Sequence, residues 1–455
     1  MVRGARRIAF GRCWPRTLSV HLPPVTRREP YRILFPLGVL LAGAGVLPWG
    51  LFALGFTQAY RPIFHSVVFR SMFHPLAEVE GFLTCFAVGS IFTLVPQRTN
   101  TAPPARWQMA VALAAPVLIV ISAALQWWVV GQIAWLVVIG VMIEFSIRRL
   151  RSRPASGARP VASVWISVGL LMGATGAAFA AVGEVWAKEW PWLHDLGRAL
   201  LTQGLFSGLC LGAAGLLLSS PESGAKDERR LSTGWTYLVH AVGAALFLAS
   251  FWIGQLGSAR LGFALRAAVT LAVVLQLRRA PLLSNKEDGL ARAVRIALWM
   301  LPIGNAWISL VPANRRAGLH VIYLGCFTLL VLVVSTYLCA GRARRPDSPV
   351  EASSLQVWLG AACLALALGT RVLVEMDPPN FKLWLGVACV CFVAATVFMF
   401  RSVSEWLSQL FEIESSRPYD HSPSQPPACE HRPPSVPEIG SRASSNPSTR
   451  QPPLQ

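Results

Sequence analysis

Charge is scarce in this 455-residue chain: charged residues make up 14% of it, hydrophobic residues 54%. Acidic residues are scarcer still, 22 Asp and Glu against 41 Lys and Arg. A chain of this length with so little polar surface is excluded from folding as a water-soluble globule. Motifs for common chemistries are missing too. No C-x-x-C, G-x-x-x-x-G-K-[ST], H-E-x-x-H or G-x-S-x-G occurs, so ATPase, zinc-protease and hydrolase readings have nothing to stand on. The nine cysteines are scattered and read as small buried hydrophobes. Cys389 and Cys391, two apart, point to different faces of a helix. Alternating strands of about ten residues, the mark of a membrane barrel, are absent as well.

What is present is a series of apolar runs of roughly 20 residues, the length that crosses a bilayer core of about 30 Å as a helix. Helices satisfy their backbone polar groups internally, so they are the expected element. Twelve spans are expected, near 33–55, 76–96, 107–127, 129–147, 161–183, 197–218, 235–254, 260–280, 294–311, 319–340, 354–374 and 382–402. The fold class is therefore all-α, a polytopic integral membrane protein with about twelve helices in one bundle. Only "QWWVVGQ" separates the third span from the fourth, which predicts a tight hairpin.

The net charge of +19 is a topology signal and does not point to nucleic acid. Arginines concentrate in the segment before Arg32 and in alternate loops ("RRLRSR", "ERR", "RRAPLLSNK", "RARR"). By the positive-inside rule both termini are expected in the cytoplasm, and an even span count agrees. Residues 1–31 read as a basic cytoplasmic segment without a signal peptide. Residues 32–406 form the transmembrane domain, and 407–455, rich in Pro and Ser, a disordered cytoplasmic tail. The tail's His421, Cys429 and His431 are not expected to bind metal.

Ionisable residues within spans are costly and mark candidate sites. The expected topology places His74, Glu78, His320, Arg266, Arg371 and Glu375 in the outer half. The inner half holds His240, Glu144 with Arg148, and Gln276. His74 precedes Pro75 and reads as an N-cap with proline at the first helical position. Glu78 then falls in the opening turn, favoured by the helix dipole. His74 and Glu78, four apart, also suit a histidine ligand backed by a carboxylate. Arg371–Glu375 and Glu144–Arg148 read as helix-end ion pairs, His240 as a structural interhelical donor, and the 17 tryptophans as interfacial anchors.

The run "GFLTCFAVGSIFTLVPQRT", Gly81 to Thr99, resembles the second-span signature of the NnrS family, with Gly81, Phe82, Gly89, Thr93, Val95, Pro96 and Thr99 in place. "PYRILFPLG" is similar to the family's opening segment. "HVIYLGCFTLLVLVVSTYLCAGRARR" is similar to its C-terminal signature at His320, Gly325, Gly341 and Arg345. The resemblance implies an inner-membrane protein of nitric-oxide stress and denitrification, holding haem and possibly copper. It makes His74 and His320 the metal ligands, with Glu78, Arg266 and Arg371 as second-shell or propionate partners. Nitric oxide or an iron-nitrosyl species would be the ligand handled, beside the lipid bilayer itself. The chain departs from the family pattern where Leu76, Ala77, Tyr337 and Arg342 replace a histidine, a glutamate, an arginine and a histidine. Two of four motif histidines remain, enough to clamp one iron and short of a nitrogen-rich copper site. Two other readings stay open: a transporter with His74, Glu78 and Arg266 along its path, and a family member that has lost its metal. A haem–copper oxidase core would need more intramembrane histidines than His74, His240 and His320.

Overall fold

The computed structural model describes residues 29–56, 72–99, 101–151, 163–218, 233–278, 289–343 and 351–415. Among the described residues there is no strand, and eleven helices are long and apolar enough to cross a membrane. The protein is an all-α polytopic membrane protein. Its helices are α1 (Tyr31–Ala53), α2 (Met72–Gln97), α3 (Arg106–Ala124), α4 (Trp128–Arg151), α5 (Ser163–Val185) and α6 (191–218). They continue as α7 (Thr233–Leu256), α8 (Ala259–Arg278), α9 (Gly289–Leu310), α10 (Pro312–Leu338), α11 (Glu351–Met376) and α12 (Phe381–Ser415). The sixth expected span is α6, which is helical throughout but is not one of the eleven. The chain divides into two compact units, Met1–Phe411 and Glu412–Gln455; only 412–415 of the second are described. Residues 407–415 are helical as the end of α12. The rest of the expected tail and all but the last residues of the expected N-terminal segment lie outside the described residues.

Large apolar side chains turn outward along the spans, Leu40 at 69% and Leu310 at 78% exposed, as a lipid-facing surface requires. Aromatic rings fill the interior and join helices distant in sequence. Phe35 of α1 stacks on Phe86 of α2 at 4.4 Å, Phe82 meets Phe392 of α12, and Phe206 of α6 meets Phe327 of α10. The expected hairpin is there: α3 and α4 are joined across Gln126, which holds a positive φ of 63°.

Every fourth helix is irregular. α2, α6 and α10 each contain a π-helical segment, Leu76–Leu83, Leu200–Gly204 and Val321–Thr328. Such segments are rare and concentrate at functional sites. In or across the end of each the sequence repeats: Glu80-Gly81-Phe82-Leu83-Thr84, Gln203-Gly204-Leu205-Phe206-Ser207 and Leu324-Gly325-Cys326-Phe327-Thr328. The hydroxyls of Thr84 and Thr328 donate to the carbonyls five residues back, Val79 and Tyr323. In the α-helical stretches Thr93 and Thr336 donate four back. The wider turn therefore moves the acceptor by one residue.

Seven residues before each of these glycines stand His74, Gly197 and Gly318, and each meets a glycine of the preceding helix. His74 bonds the Gly45 carbonyl of α1. A Cβ on Gly197 would lie 2.7 Å from the Gly176 oxygen of α5, and one on Gly318 3.0 Å from the Gly304 oxygen of α9. The described helices thus fall into three sets of four, each opening with a helix packed closely on its π-bearing neighbour.

Candidate functional site

His74 is helical, within α2. The N-cap expected from His74-Pro75 is not formed, because proline is tolerated anywhere in a first turn, where its missing N–H is an orphan anyway. Helical geometry at His74 turns its ring onto α1. Its Nδ1 lies 3.1 Å from the Gly45 carbonyl oxygen. A carbonyl only accepts, so Nδ1 carries the proton and a neutral ring keeps its lone pair on Nε2. His320, at the start of the α10 π segment, does the same within its own helix: Nδ1 donates to the Arg316 carbonyl at 2.8 Å. Among the described residues neither Nε2 has a hydrogen-bond partner. This is the arrangement seen in metal-ligating histidines, in which a bond at one nitrogen orients the ring and leaves the other for the metal.

The two histidines belong to one cluster. Arg371 of α11 lies within electrostatic reach of both imidazoles, and His74 within reach of His320. Arg371 is itself held by Glu375 at 3.3 Å, both side chains largely buried, so the expected ion pair forms beside the histidines. Glu78 lies on the same side. A Cβ on Gly45 would fall 2.5 Å from its Oε1, so the glycine both anchors His74 and leaves room for the carboxylate. That Oε1 is buried with no hydrogen-bond partner.

These residues answer part of what haem and copper would need. Each imidazole, oriented through Nδ1 with Nε2 free of a hydrogen bond among the described residues, could serve as a ligand to a haem iron. Among the described residues no group of three His, Cys, Asp or Glu side chains stands together as a metal site, so a three-donor copper site is not formed there. His65 lies outside the described residues. His194 turns away: its Nδ1 faces the Ala180 carbonyl of α5 at 3.2 Å and Glu184 at 3.5 Å.

Arg266 is not brought to the histidines. It is 4% exposed, with Nη1 donating to Gln203 of α6 at 2.8 Å and Nε to the Ser250 hydroxyl of α7 at 3.2 Å. Sequence reasoning missed Gln203, Gln132 and Tyr323. Gln132 of α4 donates to both oxygens of Glu80, at 2.9 and 3.1 Å, and Glu80 is 1% exposed. So of the two α2 carboxylates, Glu80 is buried and bonded rather than crowding a helix mouth. The signal for it was the amide itself, since a glutamine in an apolar span needs a partner. Beside the pair lies a cavity of about 30 Å³, room for one or two waters, lined by Glu80, Gln132, Glu184, His194, Arg198 and Thr202.

At the opposite end, Arg148 pairs with Glu144 at 2.5 Å, and Gln108 adds a bond to that carboxylate. His240 does join two helices, but as acceptor: Trp165 Nε1 donates to its Nδ1 at 2.9 Å. The expectation of a donor is corrected, since the indole N–H can only donate. Gln276 is exposed and belongs to no site.

No curated protein matches the chain. The model of the NnrS protein family matches residues 26–410, a range that takes in the histidine cluster and the whole of α1–α11, and the chain belongs to that family.

Proposed function

We propose that this membrane protein acts in nitric-oxide handling or stress response, with an iron porphyrin held between His74 of α2 and His320 of α10. The observation that carries the reading is the matched pair of imidazoles. Each is fixed through Nδ1 by a backbone carbonyl and presents Nε2, and both lie in one electrostatic cluster with Arg371. A porphyrin iron bound there would be held by His74 and His320 and would supply one-electron redox chemistry. The chain's own residues orient both imidazoles through the Gly45 and Arg316 carbonyls. The Arg371–Glu375 pair and Glu78 set the charge beside them. Copper has no three-donor group behind it among the described residues and is not part of the proposal. The membrane is proposed to be the bacterial inner membrane, with both termini cytoplasmic and the histidine cluster towards the outer face. Reporter fusions at each terminus test that orientation.

The deciding experiment is a reduced-minus-oxidised visible spectrum of the purified protein, with iron and copper measured on the same sample. A haem band with stoichiometric iron, lost in His74→Ala and in His320→Ala and kept in His194→Ala, is the expected result. A colourless, iron-free preparation from cells able to make haem sinks the reading. A second reading, a transporter, draws on the small cavity beside Glu80. Its mark is substrate-dependent flux in metal-free protein.

A further inference from the structure

Arg266 carries its charge among neutral partners. Gln203, the Ser250 hydroxyl and the Ser250 carbonyl take its N–H groups. The rings of Phe251 and Phe263 cover it at 3.9 and 4.2 Å. No carboxylate approaches it among the described residues. Burying a cation this way is costly unless an opposite charge joins it, and cation–π contact offsets only part of that cost.

Two further guanidiniums converge on the same place. Arg315 of α10, exposed at the helix start, faces Phe263 at 5.6 Å, so one ring is shared by an exposed and a buried arginine. Arg198 of α6, half-buried, acts together with Arg266 and Arg315 on the Tyr323 hydroxyl. That hydroxyl donates to Thr202 at 3.1 Å. Neither Arg198 nor Arg315 makes an ion pair among the described residues. Three cations thus run from the surface into the bundle between α6, α8 and α10, with two hydroxyls and an amide at the inner end.

We infer that this is an anion-binding site, taking a small planar oxyanion or carboxylate onto the Arg266 fork, with Arg315 as its surface entry. A guanidinium matches such a group with two parallel N–H bonds, and a line of one charge leading inward concentrates its counter-ion. The carboxylate comes either from a free anion or from the edge of a bound porphyrin. The inference stands apart from the iron reading, because Arg266 and Arg315 make no ion pair among the described residues whether or not the histidines hold metal.

The test uses the full-length protein in detergent, prepared from haem-sufficient and haem-starved cells. The thermal midpoint is titrated with sodium formate and with sodium chloride, against sodium gluconate at equal ionic strength. A saturable rise with formate in haem-starved protein is expected, weakened at least about tenfold in Arg266→Gln, severalfold in Arg315→Gln, and unchanged in Arg401→Gln. If the rise disappears in haem-loaded protein and both variants retain less haem, the porphyrin supplies the carboxylate. If it persists in haem-loaded protein, the anion is free. Arg315→Gln keeps the test valid should Arg266→Gln fail to fold, since Arg315 is exposed. No saturable effect of formate in either preparation, with haem retention unchanged in Arg315→Gln, overturns the site.

Discussion

α2 and α6 open alike and diverge within two turns. Each has a histidine near its start, a proline in its first turn and a π segment beyond. In α2 the residue seven before the π glycine is His74, and its ring fills the gap to the Gly45 carbonyl. In α6 that place belongs to Gly197, whose backbone lies against Gly176 and Ala180 of α5, and His194, one turn earlier, is pushed to the rim. The same slot therefore either closes two helices together or opens them around a side chain.

The largest effect should come from forcing the closed slot open. In Gly176→Val a new Cβ would lie 2.6 Å from the Leu201 nitrogen and 2.8 Å from the Gly197 oxygen, backbone that has no room to move. The variant should lose about 3 kcal/mol or fail to fold, read as denaturant-induced unfolding in detergent. In Gly45→Ala the nearest atom is the flexible end of Glu78, so the loss should be about 1 kcal/mol. Equal losses in the two would refute the contrast.

Next come the two carboxylates of α2. Glu80 has both oxygens bonded by Gln132, whereas Glu78 has a buried oxygen with no partner. Gln132→Ala should cost about 2 kcal/mol, since it strands a buried acceptor. Glu78→Gln should cost nothing or stabilise slightly, and a large loss there would show that Glu78 has a partner after all.

Smaller effects belong to the π segments. Thr84→Val and Thr328→Val each leave a carbonyl without its hydroxyl donor, and about 1 kcal/mol should be lost in each. If one variant is silent, the segments are not equivalent.

The smallest effect lies in the turn between α11 and α12. Trp384 and Asn380 donate to the Asp377 carboxylate at 2.8 and 3.0 Å and hold its pKa below the ordinary 3.8. A depressed carboxylate stabilises the fold above its unfolded value, and that contribution is lost as pH falls through the lower folded value. Thermal midpoints taken from pH 6 to pH 3 should drop slightly more in the parent than in Asp377→Asn, with all of the difference below about pH 4.

Hydropathy alone reveals the spans, because a bilayer imposes length and apolarity on each one separately. The two histidines were legible for a similar reason: a polar group in an apolar run stands out. Arg266 stood out as well, but its surroundings did not, since Gln203 and Ser250 come from other helices and nothing local marks them as partners. The π segments were hidden too, for eight residues leave no periodicity to separate them from α-helix. Only their recurrence in every fourth helix, with a glycine and a hydroxyl in step, makes them visible once the structure has aligned them.

His74 is tethered to a neighbouring helix, His320 to its own. Sliding α1 along α2, as a bilayer of different thickness would do by changing helix tilt, swings the first ring and leaves the second where it was. The two histidines therefore differ mechanically though they are chemically alike. One reports the position of a neighbouring helix and the other does not, so strain in the surrounding lipid reaches the cluster through Gly45 alone of the two tethers.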